Sequence, residues 1–216
     1  MTIKAIIFDL DGTLLNTLDD LAESMNRVLM RLGFPTHPTA AYKYFVGDGI
    51  EKLASRVLPE AQRNTVTVKI CVEEMQQEYG EHWRDKTCPY AGINDMLQAL
   101  IKRGISLNIL SNKPDALTQL TVASFFPSYA FANVAGAKKN TPKKPDPTSA
   151  LHIVKSLALS ADQFLYLGDT STDMETAKNA GILALGALWG FRTASELQAS
   201  GAQALLEHPL DLLQHI

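Results

Sequence analysis

Apolar residues recur along this chain in short, nearly unbroken runs separated by segments with helical spacing. The first run, IKAIIFDL over residues 3–10, is typical of a strand buried on both faces of a parallel sheet. Similar runs predict further strands over residues 106–110, 131–135, 164–167 and 182–188. Helical periodicity is found over residues 93–102, 116–125, 148–157 and 172–179. This alternation predicts an α/β fold with a doubly wound, Rossmann-like parallel sheet joined by right-handed crossovers.

One interval, residues 17–86, contains no convincing buried strand. Its apolar residues follow helical spacing instead: Leu18, Leu21, Met25, Val28, Leu29 and Leu32, then Ile50, Leu53, Ala54, Val57 and Leu58. The return to the strand pattern is predicted at TCPYAG, where Pro89 and Gly92 interrupt regular structure. We therefore expect a core formed by residues 1–15 and 88–216, with a helical cap of residues 16–87 inserted into it.

Composition excludes several classes of partner. A length of 216 residues fits one domain with a sizeable insertion, and a net charge of −3 with dispersed Lys and Arg gives no footprint for nucleic acid. The longest apolar stretch, residues 182–188, falls short of the roughly 20 residues of a membrane span. Cys71 and Cys88 lack CxxC spacing, and the N-terminal run is too short for a signal peptide. We expect free thiols, a cytoplasmic location, no membrane or nucleic-acid partner, and a monomer or homodimer.

Two carboxylates, Asp9 and Asp11, follow the first apolar run in the sequence DLDGT. Burying a carboxylate without a partner is unfavourable, so this position indicates a cation or another compensating group. On local pattern alone, Asp-Gly is equally typical of a hairpin turn. An EF-hand calcium loop is excluded, because Leu14 and Asp20 stand at its glycine and glutamate positions.

Polar residues also follow two later predicted strands, as SNK over residues 111–113 and as GDTSTD over residues 168–173. The carboxyl ends of parallel strands face one crevice, where ligands bind. We therefore expect the acidic side chains to meet there: Asp9, Asp11, Asp169 and Asp173. Clustered carboxylates need a cation, and hard oxygen ligands without His or Cys favour Mg²⁺.

These motifs resemble a known family. FDLDGT over residues 8–13, LSN over 110–112, Lys144-Pro145, and Gly168-Asp169 with Asp173 match in order and spacing the four motifs of the haloacid dehalogenase-like (HAD) phosphohydrolases. The resemblance covers essentially the whole chain, and the helical insertion looks like the C1 cap of that family. The phrases DGTLLNTLDDL, VGDGI, LSNKP and KPDP are most similar to the phosphoglycolate phosphatase branch.

The resemblance implies a catalytic role for four residues. Asp9 would be the nucleophile that forms an aspartyl-phosphate, and Asp11 the general acid and base. Ser111 would donate a hydrogen bond to the phosphoryl group, although SN after a strand is also a common helix cap or turn. Lys144 would neutralise the phosphoryl group, because it directly precedes a proline as in the family. Lys143 is the alternative, and a solvated basic loop is the ordinary interpretation of this lysine-rich segment.

The resemblance also implies how metal would be held. Asp9, the main-chain carbonyl of Asp11, and Asp169 would bind Mg²⁺ directly, with Asp173 supporting them through water. The alternative for Asp173 is an acid in the first turn of a helix, stabilised by the helix dipole.

Substrate contacts are expected at two places. The FDLDGT motif supplies Gly12 and Thr13, and the LSN motif supplies Asn112 through its main-chain N–H. The predicted cap supplies a specificity loop, Gly47-Asp48-Gly49, whose free N–H groups could meet an anion. A simple turn between helices explains this loop equally well. Asp48 would repel an anionic substrate unless it points away, and Arg56 could reach inward or lie on the surface.

The expected activity is Mg²⁺-dependent hydrolysis of a small phosphomonoester, with 2-phosphoglycolate as the leading candidate. Alternatives within the family are a pyrophosphatase, a sugar-phosphate phosphatase and a β-phosphoglucomutase. A dehalogenase is disfavoured, because those members lack the second Asp of the first motif. A receiver-like signalling domain and an inactive scaffold are more remote, since receivers lack a cap and every catalytic position here is filled.

Overall fold

The computed structural model describes residues 2–216. Its strands are β1 (Ala5–Phe8), β2 (Leu15–Asn16), β3 (Cys88–Pro89), β4 (Ser106–Pro114), β5 (Asn133–Ala137), β6 (Phe164–Gly168), β7 (Leu183–Ala187) and β8 (Ala204–Leu206). Its α-helices are α1 (Leu18–Arg31), α2 (Thr39–Phe45), α3 (Ile50–Val57), α4 (Thr65–His82), α5 (Ile93–Lys102), α6 (Asp115–Phe125), α7 (Thr148–Ser156), α8 (Ser171–Ala180) and α9 (Ala194–Ala199). Short 3₁₀ segments cover Glu60–Gln62, Ala161–Gln163 and Pro209–His215.

The larger sheet has six parallel strands in the order β5-β4-β1-β6-β7-β8. The first strand lies in the interior, and Ala5 is aligned with Ser106 on one side and with Phe164 on the other. Later strands are therefore added on both sides of β1. This confirms the predicted α/β class with a parallel sheet.

Alternation along β1 explains how both faces of the sheet are covered. Ile6 and Phe8 pack into one apolar cluster, while Ala5 and Ile7 pack into another on the opposite face. The first cluster includes four α5 residues, Ile93, Met96, Leu97 and Leu100; the second includes Ile153 of α7 and Met174 and Ala177 of α8. A nearly continuous apolar run is what a strand buried on both faces requires.

The structure differs from the predicted elements in several places. Strands β2, β3 and β8 and helix α9 were not predicted, because elements of two to six residues are too short to show a period. The strand predicted over residues 131–135 lies over Asn133–Ala137. Strand β4 was predicted to end at residue 110 but extends to Pro114, with a register shift beyond Leu110. Ser111, Asn112 and Lys113 therefore lie in the irregular last part of the strand and not in the loop that follows it.

Internal contacts divide the chain into two compact units. The core unit comprises the described residues up to Leu15 together with Pro89–Ile216, and the helical unit is Asn16–Cys88. Both cysteines are free thiols, as predicted, with Cys71 buried and Cys88 exposed. Among residues 2–216, no helix has the length and apolar character that crossing a bilayer requires.

Within the helical unit, α1 packs against α4. Buried side chains on the facing stripes are Met25, Val28 and Leu29 of α1 and Cys71 and Met75 of α4. Partly exposed ion pairs flank this seam: Arg31 Nη1 lies 2.5 Å from Glu78 Oε2, and Arg27 Nη1 lies 3.1 Å from Glu78 Oε1. Such pairs contribute little, so apolar burial holds the two helices together.

A buried carboxylate ties the beginning of the helical unit to its end. Asp20, in the first turn of α1, is 2% exposed and accepts hydrogen bonds from three donors. They are Lys86 N at 2.9 Å, Thr87 N at 2.8 Å and Thr87 Oγ1 at 2.7 Å. The segments by which the chain enters and leaves this unit are thus fixed to one another.

Asp20→Ala should therefore lower the free energy of unfolding by about 2–4 kcal/mol, because it leaves buried N–H and O–H donors without an acceptor. Asp19→Ala is the matched control: the residue is exposed in the same helical turn, so only a dipole effect of about 0.3–1 kcal/mol is expected. Thermal and urea unfolding measure both variants. Equal losses for the two would contradict the structural role of Asp20.

Candidate active site

Three predicted carboxylates meet at the carboxyl ends of adjacent strands. Asp9 directly follows β1, Asp169 directly follows β6, and Asp173 lies in the first turn of α8. Each offers an oxygen within 4.8 Å of the others, and all three residues are buried. The crevice rule for parallel sheets thus accounts for their meeting. The Asp11 side chain lies outside this cluster.

The negative charge of these three carboxylates exceeds the positive charge that neighbouring protein groups supply. Burial, with the charge of Asp173 next, raises the pKa of Asp9 well above its usual value, although Lys144 opposes the shift. Burial and Asp173 likewise raise the pKa of Asp169 to about 7, against hydrogen bonds from Phe191 and Thr13. Carboxylates held this way bind either protons or a cation. Hard oxygen donors with no nitrogen or sulfur ligand among them fit Mg²⁺.

Lys144 is the cation of the cluster. Its Nζ lies 2.9 Å from Asp9 Oδ1 and 2.7 Å from Asp173 Oδ1, and its side chain is 2% exposed. Burial alone would lower the pKa of Lys144, but Asp173 and Asp9 outweigh it and raise that pKa well above the ordinary value. The structure thus places Lys144 beside the predicted nucleophile.

Asn112 fixes the main chain at Lys144. Its Nδ2 donates to Lys144 O at 3.2 Å, and its Oδ1 accepts from Lys144 N at 3.0 Å. Asn112 was predicted to bind substrate through its main-chain N–H. The structure adds a side-chain role that was not predicted, because a reciprocal amide contact over 32 residues leaves no local pattern.

Both carboxylate oxygens of Asp173 already accept hydrogen bonds. Oδ1 accepts from Lys144 Nζ and from the Tyr166 hydroxyl at 3.3 Å, while Oδ2 accepts from Thr170 N at 3.1 Å and from Thr170 Oγ1 at 2.7 Å. The second pair forms a capping box at the start of α8. Asp173 is therefore both a first-turn acid and the partner of Lys144, and a metal contact through water stays a prediction. Tyr166 was not predicted, because a tyrosine in an apolar run reads as a core residue.

Thr13 and Gly12 both contact other residues of the core unit. Thr13 is fully buried and its Oγ1 donates to Asp169 Oδ1 at 2.9 Å, so its side chain supports Asp169. Substrate binding by Gly12 and Thr13 stays a prediction. The Gly12 N–H donates to Leu15 O at 2.8 Å. Gly12 has φ +88°, and a Cβ there would lie 2.3 Å from Asp169 Oδ2. Only glycine permits this approach.

A loop that sequence analysis did not single out also holds Asp169. In LWGFR, residues 188–192, Phe191 N donates to Asp169 Oδ2 at 2.8 Å and Trp189 Nε1 donates to Thr13 O at 2.9 Å. A Cβ on Gly190 would lie 2.3 Å from Asp169 Cβ. The only signal in the sequence is a glycine two residues after a predicted strand, which suffices to suggest a turn but not a contact.

Asp11 and Ser111 lie at the same strand ends in the core unit. The Asp11 side chain is 19% exposed, and its Oδ1 lies 2.9 Å from Lys113 Nζ. Ser111 is buried, and its Oγ accepts from Lys113 N at 3.2 Å. The hydroxyl hydrogen of Ser111 is therefore not used in that bond and can be donated to another group.

The predicted specificity loop lies in the helical unit. Gly47 and Gly49 have φ +114° and +89°, and Gly49 precedes α3. Asp48 forms an ion pair with Arg56, whose Nη1 also donates to Phe45 O at 3.1 Å. The negative charge of Asp48 is thus paired with a cation from α3, within the helical unit. Substrate binding by Gly47, Asp48 and Gly49 stays a prediction.

Comparisons with known proteins agree on one family. A model of the haloacid dehalogenase-like hydrolases matches residues 6–187. The phosphoglycolate phosphatase of Aquifex aeolicus is 30% identical over 211 residues, covering 98% of this chain and 95% of that protein. That of Vibrio cholerae is 33% identical over 202 residues, covering 88% and 86%. The crystal structure of a predicted phosphoglycolate phosphatase from Haemophilus somnus is similar with a TM-score of 0.91 at 26% identity, covering 100% and 98%.

The raised pKa values predict how metal-free stability depends on pH. Asp169 titrates near 7 when folded but near 3.9 when unfolded, so the folded state binds more protons between these values. Stability in EDTA should therefore fall as pH rises from about 4 to about 7, and Mg²⁺ should raise the melting temperature more at about pH 8 than at about pH 5. Asp169→Asn should flatten the metal-free dependence. Metal-free stability that rises over this range, with no effect of Mg²⁺, would contradict the prediction.

Proposed function

The chain belongs to the haloacid dehalogenase-like hydrolases, and we propose that it is a phosphoric monoester hydrolase that uses Mg²⁺, with 2-phosphoglycolate as its leading substrate. One observation carries the proposal: the Asp9 carboxylate lies buried beside the Lys144 ammonium, within a cluster of acidic groups that needs a further cation. The relatives named phosphoglycolate phosphatase support the choice of substrate.

Asp9 is the proposed nucleophile. Its Oδ1 accepts from Leu10 N at 2.7 Å and pairs with Lys144, whereas Oδ2 accepts no hydrogen bond from any residue between 2 and 216. Oδ2 is therefore the oxygen free to attack phosphorus. Attack forms an Asp9–phosphorus bond, breaks the bond from phosphorus to the leaving oxygen, and gives an aspartyl-phosphate.

Asp11 is the proposed general acid and base. It gives a proton to the departing alkoxide, so that the product leaves as a neutral alcohol group. Water then attacks phosphorus and loses a proton to Asp11, the bond to Asp9 breaks, and inorganic phosphate leaves. The Asp9 carboxylate and the protonated Asp11 are thereby regenerated. The partial exposure of Asp11, in contrast to buried Asp9, suits a group that must meet both alcohol and water.

Asp9, Asp169 and the Asp11 carbonyl would hold Mg²⁺, which when bound offsets the negative charge of the phosphoryl oxygens. Two side chains of the protein would also bind the phosphoryl oxygens. Lys144 supplies an ammonium beside Asp9, and Ser111 can donate its hydroxyl hydrogen. Together they reduce the repulsion between an anionic nucleophile and an anionic substrate.

The helical unit is the proposed cap. In this proposal residues 1–15 and 88–216 catalyse the reaction, and residues 16–87 select the substrate through Gly47, Asp48 and Gly49. The ion pair of Asp48 with Arg56 supports the idea that this loop tolerates an anion. A cytoplasmic location and a monomeric or homodimeric state complete the proposal.

Asp9→Asn should lower turnover by more than about 10³-fold, because an amide oxygen cannot serve as the nucleophile. The change removes little volume, so the melting temperature should stay close to or above that of the wild type, since one buried negative charge is lost. Asp95→Asn, on the exposed face of α5, is the matched control and should keep full activity. Turnover of the wild type and of both variants is measured as phosphate release with Mg²⁺ present. Near wild-type turnover in Asp9→Asn would show that the nucleophile is assigned wrongly.

A phosphoester panel tests the substrate. Release of phosphate from 2-phosphoglycolate should exceed release from pyrophosphate and from hexose phosphates in kcat/KM, and EDTA should abolish it. Preference for pyrophosphate or a hexose phosphate would instead identify a pyrophosphatase or a sugar-phosphate phosphatase. Interconversion of hexose phosphates without net hydrolysis would identify a mutase. No acceleration of any member would refute the enzyme class.

A further inference from the structure

A second buried lysine in the core unit has no part in the mechanism described so far. The Lys113 side chain is 4% exposed, and its Nζ lies 2.9 Å from Asp11 Oδ1. Lysine is almost never buried to this extent unless its ammonium is paired. The partner is Asp11, the proposed general acid and base. This ion pair therefore links the buried lysine to the proton-transfer steps of the proposed reaction.

The main chain around Lys113 is fixed on both sides. Its N–H donates to Ser111 Oγ at 3.2 Å, and its carbonyl accepts from Thr118 Oγ1 at 3.1 Å. Ser111 and Lys113 lie two residues apart in the last part of β4, where the register with β5 shifts. The ammonium thus extends toward Asp11 from a main chain that these hydrogen bonds hold in place.

Asp11, by contrast, lies in a turn after β1. Gly12 N donates to Leu15 O at 2.8 Å, and Leu14 N and Leu15 N both donate to Leu10 O at 3.0 Å. These bonds fix the main chain of the turn but not the rotamer of the Asp11 side chain. Only Asp11 Oδ1 has a partner among residues 2–216, while Oδ2 accepts no hydrogen bond there.

We propose that Lys113 is a positioning residue, which holds Asp11 Oδ1 so that Oδ2 faces the leaving oxygen and later the attacking water. This inference rests on the proposed phosphatase function and adds one residue to it. Lys113 would act through Asp11 and leave the phosphoryl group to Lys144, whose ammonium lies between Asp9 and Asp173. The two lysines would then serve the two carboxylates of the first motif separately.

The separate roles of Lys113 and Lys144 can be tested by measuring how kcat/KM depends on the leaving group of the substrate. Protonation by Asp11 matters for an alkyl phosphate, whose alkoxide is a poor leaving group, and matters little for p-nitrophenyl phosphate, whose phenolate leaves unprotonated. The ratio kcat/KM covers only the steps up to the departure of the leaving group. Loss of orientation should therefore lower kcat/KM of Lys113→Met by about 10²-fold for 2-phosphoglycolate or glycerol phosphate, and by less than about threefold for p-nitrophenyl phosphate.

Three further variants control the experiment. Lys155→Met removes the same charge from an exposed position on α7 and should leave both rates unchanged. Lys113→Arg should restore part of the alkyl phosphate rate, because it keeps a donor near Asp11. The double variant Asp11→Asn with Lys113→Met should be no slower than Asp11→Asn alone, since residues that act as a unit are not additive.

The possible failures are distinguishable. Equal losses for alkyl and aryl substrates, or no loss for either, would overturn the role of Lys113 while leaving the phosphatase intact. A wild-type protein inactive on both substrates would refute the proposed function, and this inference with it. Circular dichroism and melting curves accompany each variant. If Lys113→Met does not fold, Lys113→Gln and Lys113→Arg are compared on the same pair of substrates.

Discussion

The ammonium of Lys144 between the carboxylates of Asp9 and Asp173 is the interaction on which the rest of the site depends. All three groups are buried, and Asp169 adds a third negative charge within the same small space. Removing such charges from water is unfavourable unless each finds a partner. One ammonium cannot balance three carboxylates, so the fold holds a deficit of positive charge at the ends of its central strands. A divalent cation would supply the missing positive charge, and the same cation would bind the oxygens of a phosphate ester.

Much of the surrounding structure serves to keep these charged groups in place. Asn112 fixes the main chain at Lys144, Thr170 caps the helix through Asp173, and Thr13 with Phe191 binds the two oxygens of Asp169. None of these contacts requires substrate. They hold the carboxylates in a geometry that self-repulsion alone would disperse, which is how a buried polar network can specify one arrangement.

The two lysines are proposed to have different roles because they contact different carboxylates at the strand ends. Lys144 lies among the buried acids, and Lys113 extends from β4 to the more exposed Asp11. The first motif needs two carboxylates of different character: one kept ionised to attack phosphorus, the other free to exchange a proton with alcohol and water. Separate buried lysines, one paired with the buried Asp9 and one with the partly exposed Asp11, provide a physical basis for that difference.

The sequence by itself determined the parallel sheet and the helices inserted after its first strand, because unbroken apolar runs are typical of buried strands and helical spacing is typical of amphipathic helices. The interior position of the first strand came from the structure. It also predicted that Asp9, Asp11, Asp169 and Asp173 should meet, since each closely follows a strand of one sheet. Three of them do, whereas the Asp11 side chain pairs with Lys113 outside the cluster. Only the tertiary structure decided which side chains hold them. The contacts of Asn112, Lys113 and the residue 188–192 loop join positions far apart in sequence. Their geometry depends on strand register and on where β4 ends, which no local pattern of apolar and polar residues encodes.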